Sequence, residues 1–303
     1  MPALGTRGGM SARGYGMFMG KPIAILPGPR GLFATSNNTV STRIYQWATE
    51  AIGSGQNFTQ PVQQTTAAGN SNVALFARGT SEATNKQVQQ YTHATNITQV
   101  ATAFNTACAG GAGTADPTFG WFFCGGASAP TTNVVLYNFS AGATGSATAL
   151  SNAVDFVAAT GISTYAIISR ASSSGSSAAT MKYTYGGGAV AGTSFLVARS
   201  IVSSYVGNAT VGMFMRTTAG TTNTQKYTYA GDVTAAGGML VAGSNYAGAQ
   251  GCGNATYGII MGTTNQPAIK YTYSTDTAST NASFAPNTSY IGSTNDGLAG
   301  VNA

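Results

Sequence analysis

The chain has 303 residues, of which 43% are apolar and only 7% charged, against about a quarter charged in an ordinary soluble domain. Its 15 tyrosines and 13 phenylalanines are spread along the length, an inventory of core-forming side chains that a disordered chain lacks. Three irregularly spaced cysteines and a single histidine argue against a disulfide framework and a zinc site, and no apolar run of about 18 residues is present to cross a bilayer.

The net charge of +6 is gathered at the start of the chain. Arg7, Arg13, Lys21, Arg30 and Arg43 all precede the first acid, Glu50. Such a basic arm suits nucleic acid or an acidic protein surface, and equally suits a solvated tail. Lys21 interrupts the apolar residues on either side of it, so no secretory leader is expected. Residues 1–30 stand outside the repeat described next and are expected to form an extended arm. Within them, Gly16-Met17-Phe18-Met19 resembles Gly212-Met213-Phe214-Met215, which leaves open a remnant half unit.

Beyond the arm, one pattern recurs to the end. Lys182-Tyr183-Thr184-Tyr185 returns as Lys226-Tyr227-Thr228-Tyr229 and Lys270-Tyr271-Thr272-Tyr273, with weaker copies at Tyr45, Tyr91 and Tyr137. The leading tyrosines are thus spaced by 46, 46, 46, 44 and 44 residues. Apolar clusters keep the same phase. Phe76, Phe122, Ile168, Phe214 and Ile260 lie 46 apart, with Leu32-Phe33 as the first copy. Gly161, Gly207 and Gly253 are also 46 apart, and Phe58, Phe104, Leu150, Leu196, Leu240 and Phe284 each follow their tyrosine by 13. Four ladders in register define a repeat.

Each unit reads as strands. Tyr-Thr-Tyr alternates large and small side chains with period 2, and the apolar clusters are short and bounded by Gly, Ser, Thr and Asn. No segment has the pattern of a capped amphipathic helix. The expected unit has a first strand ending before Gly-Asn (Arg199 to Val206), a second on the apolar cluster (Val211 to Met215), a third on Lys-Tyr-Thr-Tyr and a fourth on the later apolar residue (Phe195-Leu196-Val197). Four short strands per unit of this length define the blade of a β-propeller. The expected fold class is therefore all-β: a six-bladed propeller over 31–303 with the arm at 1–30. The chain begins in a second strand and ends after a first one, so Ser289-Tyr290-Ile291 is expected to complete the blade begun by Leu32-Phe33 and close the ring. The repeat core comprises Tyr45, Tyr91, Tyr137, Tyr183, Tyr227 and Tyr271 with Phe76, Phe122, Ile168, Phe214 and Ile260.

The phrase Leu196-Val197-Ala198-Arg199, Gly207-Asn208-Ala209-Thr210-Val211-Gly212, Lys226-Tyr227-Thr228-Tyr229 resembles the kelch-like repeats of structural proteins of tailed bacteriophages. The likeness covers about residues 31–292. It departs from kelch blades after the second strand, where only Gly125-Gly126 supplies the glycine pair, and in lacking the fourth-strand tryptophan. The leader Met1 to Gly16 is similar to short leaders on phage fibre and appendage proteins. The resemblance implies a protein of the virion, a fibre, collar or tail appendage. Its arm residues Arg7, Arg13, Tyr15, Phe18 and Lys21 would dock on other virion proteins, and its propeller would face a host-surface glycan or protein, as a homo-oligomer.

No catalytic constellation is legible, and neither enzyme activity nor a cofactor is expected. The acids are Glu50, Glu82, Asp116, Asp155, Asp232, Asp276 and Asp296. Asp232 and Asp276 each lie five residues after a leading tyrosine and read as turn residues. His93 stands where an aromatic is expected and reads as a packed substitute. Gly186-Gly187-Gly188 and Gly110-Gly111-Ala112-Gly113 read as turns, since neither leads into a helix or a GK[ST] motif. Lys182, Lys226 and Lys270 read as edge-strand lysines that discourage sheet association, with an arc of charge on one face as the alternative. A lectin-like propeller outside a virion is the competing reading of the whole chain.

Overall fold

The computed structural model describes residues 30–34, 40–62, 65–78, 86–108, 110–125, 130–154, 156–171, 177–196, 205–215, 224–238, 250–261, 267–283 and 293–295. It shows a six-bladed β-propeller, with no helix among the described residues. Each blade is a four-stranded antiparallel sheet. From the inner strand outward, blade 1 is Ser293–Asn295, Arg30–Ala34, Thr42–Gln46 and Ala51–Ser54, and blade 2 is Thr66–Gly69, Val73–Ala77, Val88–Thr92 and Ile97–Ala101. Blade 3 is Ala112–Ala115, Phe119–Phe123, Val134–Asn138 and Ala143–Ser146, and blade 4 is Phe156–Gly161, Tyr165–Ala171, Thr180–Thr184 and Gly188–Ala191. Blade 5 is Tyr205–Gly207, Val211–Met215, Thr224–Thr228 and Val233–Gly237, and blade 6 is Gln250–Gly253, Tyr257–Met261, Pro267–Thr272 and Thr277–Ser283.

The second strands are buried on both faces because a neighbouring blade covers each. Side chains alternate across a sheet, so Leu32 packs with Ala67, Phe76 and Tyr91 of blade 2, while adjacent Phe33 packs with Cys252, Ile259 and Met261 of blade 6. The six leading tyrosines are 0–2% exposed, and Phe76, Phe122, Ile168, Phe214 and Ile260 are fully buried. Toward the axis small residues are frequent, as in Thr66–Gly69 and Ala112–Ala115, although blade 5 begins its inner strand with Tyr205. Thr66–Gly69 lies against Ala112–Ala115, and the sequence of inner strands continues through Phe156–Gly161, Tyr205–Gly207 and Gln250–Gly253 to Ser293–Asn295, which lies against Thr66–Gly69. A side chain on Gly113 would strike the Ala67 carbonyl of the preceding blade, so the crowding at the axis requires glycine there.

The fourth strand is not where the ladder of later apolar residues places it. It follows the third strand directly through a tight hairpin, and its apolar residues, such as Ile97, Val100 and Val233, are exposed and give no buried apolar signature. Phe58, Phe104 and Leu150 lie after it, in the connections between blades, as buried plugs. Their amides donate to the carbonyls of Val40, Lys86 and Thr132. In blade 4 the plug is Phe195, whose amide donates to Ala178, and Leu196 is 63% exposed. The slip of one residue comes from the hairpin: Thr184 faces Gly188, whereas Thr92 faces Ile97, so blade 4 turns in one residue fewer. Gly186 and Gly188, at φ +79° and +93°, permit that tighter turn.

Two further expectations are corrected. The strand beside Arg30–Ala34 is Ser293–Asn295, with Leu32 opposite Thr294; Ser289-Tyr290-Ile291 lies outside the described residues. Cys108 and Cys124 form a disulfide. The plug connection into blade 3 and the end of that blade's second strand meet there, a proximity that their unrelated places in the repeat do not reveal.

Candidate functional site

One face of the ring is built from tight turns, namely the hairpins joining first to second and third to fourth strands. At the first, an Asn or Asp recurs every 46 residues apart from Ile162: Asn70, Asp116, Asn208 and Asn254. The Asn208 side-chain oxygen accepts from the amides of Thr210 and Val211 at 2.8 and 3.0 Å, and Asn254 does the same for Thr256 and Tyr257. This is an Asx turn. The amide nitrogens of Asn70 and Asn208 then donate to Pro117 and Ala255 in the following blade. Asp116 uses its second oxygen for the Trp121 indole N–H at 2.9 Å.

At the third-to-fourth hairpin, the residue five beyond each leading tyrosine takes a positive φ: Glu50, Asn96, Gly142, Gly188, Asp232 and Asp276. Asp232 and Asp276 are thus turn residues, and they also meet the lysines. Lys182 Nζ lies 2.8 Å from Asp232, Lys226 lies 3.9 Å from Asp276, and Lys270 pairs with Glu50. Each pair joins the third strand of one blade to the hairpin of the next. Lys182 and Lys270 also sit 4.1 and 4.3 Å from the ring centroids of Tyr165 and Tyr257. The lysines are interblade clamps and not edge protection, because the third strand is flanked on both sides. Hydrogen bonds from Lys182 and the Tyr227 hydroxyl hold the Asp232 carboxyl below the usual range.

The second aromatic of each unit, Trp47, His93, Phe139, Tyr185, Tyr229 or Tyr273, opens the same hairpin. The Tyr185 hydroxyl shares a 2.8 Å hydrogen bond with Thr114 on the inner strand of blade 3, and Tyr273 donates to the Gly207 carbonyl of blade 5. Each reaches the inner strand of the preceding blade. Desolvation pushes the Tyr185 hydroxyl well above its ordinary pKa. His93 occupies this place in blade 2 at 3% exposure, with neither ring nitrogen hydrogen-bonded. Burial, assisted by Arg30, lowers its pKa to about 3. The neutral ring packs at this aromatic position as Phe139 does in blade 3.

The carbonyls of these second aromatics form a series as well. Trp47 accepts from the Tyr257 hydroxyl at 2.7 Å, Tyr229 from the Tyr165 hydroxyl at 2.9 Å, and His93 from the Arg30 guanidinium. Between blades 2 and 3, where Val73 stands in the place of Tyr165 and Tyr257, a cleft of about 240 Å³ opens, lined by Asn70, Asn72, Val73, Pro117, Thr118, Phe139 and Ser140.

The expected docking residues Arg7, Arg13, Tyr15, Phe18 and Lys21 lie outside the described residues. Among the described residues no group of three His, Cys, Asp or Glu could hold a metal ion, and no helix is long and apolar enough to cross a membrane. No protein-family model matches the chain, and no curated protein matches it either.

Proposed function

We propose that the protein is a non-enzymatic structural component of a bacteriophage particle, a kelch-like propeller mounted as a fibre, collar or tail appendage through its N-terminal arm and turned toward the host surface or other virion proteins. The observation that carries the non-enzymatic part is the employment of the four carboxylates among the described residues. Glu50, Asp232 and Asp276 each bridge to a lysine of the preceding blade, and Asp116 is spent on a turn and an indole. Such groups stiffen a scaffold, and a clamped carboxylate is a poor general base. The virion assignment rests on the resemblance of the repeat and on the basic leader. A low-charge surface of Ser, Thr and Asn suits contacts with glycans or protein.

The test is the particle. The protein should co-purify with virions at a fixed copy number. Arg30 belongs to the first blade, paired with Gln46, so the arm to remove is 1–29, and its deletion should leave a cooperatively melting propeller that no longer incorporates. Absence from purified particles overturns the reading. The competing reading is a lectin-like propeller outside a virion; the Cys108–Cys124 disulfide fits both, since such bonds persist in secreted proteins and at virion surfaces alike. Glycan binding without particle association would select it.

A further inference from the structure

We propose that the cleft between blades 2 and 3 binds one neutral, hydroxyl-bearing sugar ring. This deepens the host-contact reading above by naming the ligand class. The molecule itself shows what the space accepts. At the seams between blades 4 and 5 and between blades 6 and 1, a phenol ring fills the equivalent position and its hydroxyl donates to the carbonyl of the next blade's second aromatic, Tyr165 to Tyr229 and Tyr257 to Trp47. Residues 73, 119, 165, 211 and 257 are equivalent, spaced by 46 and opposite the end of the third strand; Val211 also lacks a ring but is 8% exposed, whereas Val73 is half-buried and lines the cleft. Valine at 73 leaves the ring's volume vacant, and among the described residues no side chain donates to the Phe139 carbonyl. A ligand hydroxyl can make that bond in place of the missing phenol.

The rest of the lining selects among hydroxylated rings. Asn72 and Ser140 are exposed, Thr118 is exposed, and Phe139 and Val73 are half-buried. The site therefore offers an amide and two hydroxyls around an apolar floor, with no ionisable group to attract or repel charge. Amide and hydroxyl groups satisfy several ligand hydroxyls at once, which a sugar presents and a phenol does not. The frame is fixed. Asn70 is 6% exposed and ties its own turn to Pro117 across the seam, and Asn138 accepts from both the Ser140 amide and its hydroxyl. At about 240 Å³ the cleft is below the usual 300–1,000 Å³ of drug-sized sites, so it suits a single residue of a longer chain, bound weakly and multiplied by the copies on a particle.

The experiment uses the full chain and saturation-transfer NMR with glucose, galactose, mannose and N-acetylglucosamine as probes, and phenol as the control. At least one sugar should show transfer with a Kd of the order of 1 mM, and Val73→Tyr, which installs the side chain used at 165 and 257, should abolish it. Asn72→Ala, at an exposed position, should weaken it about fivefold with unchanged melting temperature, and Ser140→Ala, which also removes the hydroxyl's bond to Asn138, should weaken it by a similar factor. Absence of transfer from every sugar, transfer from phenol alone, or sugar binding undiminished in all three variants overturns the proposal. A protein that is found in virions but binds no sugar defeats this inference alone; one that binds a sugar but is absent from virions defeats the virion reading alone.

Discussion

Lys270 and Glu50, 220 residues apart in sequence, form an ion pair across the seam where the last blade meets the first. The pair obeys a rule that runs round the ring. Where the residue before the leading tyrosine is lysine (182, 226, 270), the positive-φ hairpin residue of the next blade is acidic (Asp232, Asp276, Glu50). Where it is Ile44, Gln90 or Leu136, the partner position holds Asn96, Gly142 or Gly188. Complementarity between first and last units has meaning only if those units touch. Lys270→Glu should therefore cost about 1 kcal/mol, and Glu50→Lys likewise. The charge-swapped double variant should recover most of the loss, in keeping with partly exposed pairs. Denaturant midpoints of the four proteins measure the coupling, and simple additivity would show that the pair contributes nothing.

The Cys108–Cys124 disulfide closes a 16-residue separation and both residues are buried. A loop of this size constrains the unfolded chain by about 3 kcal/mol. Cys108→Ser should lower stability by about 2–4 kcal/mol, and reductant should affect the parent protein but not the variant. Trypsin leaves both cysteines in one peptide, 87–170, which should gain two hydrogens on reduction. An unchanged mass would show that the thiols are not joined.

Legibility in the sequence followed burial. The tyrosine ladder and the apolar clusters could be read because each must fill the same space between sheets in every blade, so spacing and residue type recur together. The outer strands could not: Ile97–Ala101 and Val233–Gly237 carry mixed, half-exposed side chains, and the buried plug Phe58 imitates the apolar residue of a strand. Asp232 and Asp276 were recognisable as turn residues from their offset, since the left-handed conformation favours Asp, Asn and Gly. Their lysine partners were not recognisable, because each unit read alone shows a lysine on a strand and an acid in a turn. The bond exists only between units. The cleft at Val73 is hidden for the same reason, being defined by a ring that other blades supply and this one lacks.

His93 gives the fold a pH dependence. The folded ring has its pKa lowered to about 3, from the 6.5 of an exposed imidazole. A lowered folded pKa means that the unfolded chain binds the proton first. The stabilisation is complete above about pH 6.5, declines as pH falls, and is exhausted near pH 3. The slope approaches 1.4 kcal/mol per pH unit, so about 2 kcal/mol should be lost between pH 6.5 and pH 5. His93→Phe, which places in blade 2 the ring that blade 3 carries at Phe139, should remove this slope. Equal pH dependence of the two melting temperatures over that window would show that His93 does not carry it.

The last strand tests the ring as a whole. Ser293–Asn295 pairs with Arg30–Ala34 and lies between the inner strands of blades 6 and 2. Its removal exposes one edge of Gly31, Leu32 and Phe33; the buried side chain of Leu32 packs with Ala67 and Phe76, and that of Phe33 with Cys252 and Ile259. Deletion of 286–303 should therefore destabilise the first blade and, through it, both seams it shares. The loss should exceed that of any single substitution above and abolish a cooperative melt at 37 °C. Side-chain contacts independent of that strand, Lys270–Glu50 and the Tyr257 hydroxyl on Trp47, also span blades 6 and 1. If the truncated chain melts at the parental temperature, those contacts alone secure the seam and the terminal strand is dispensable to it. If it unfolds, adding a synthetic peptide of residues 286–303 should restore part of the melt, since a peptide that pairs with Gly31, Leu32 and Phe33 binds only the folded blade.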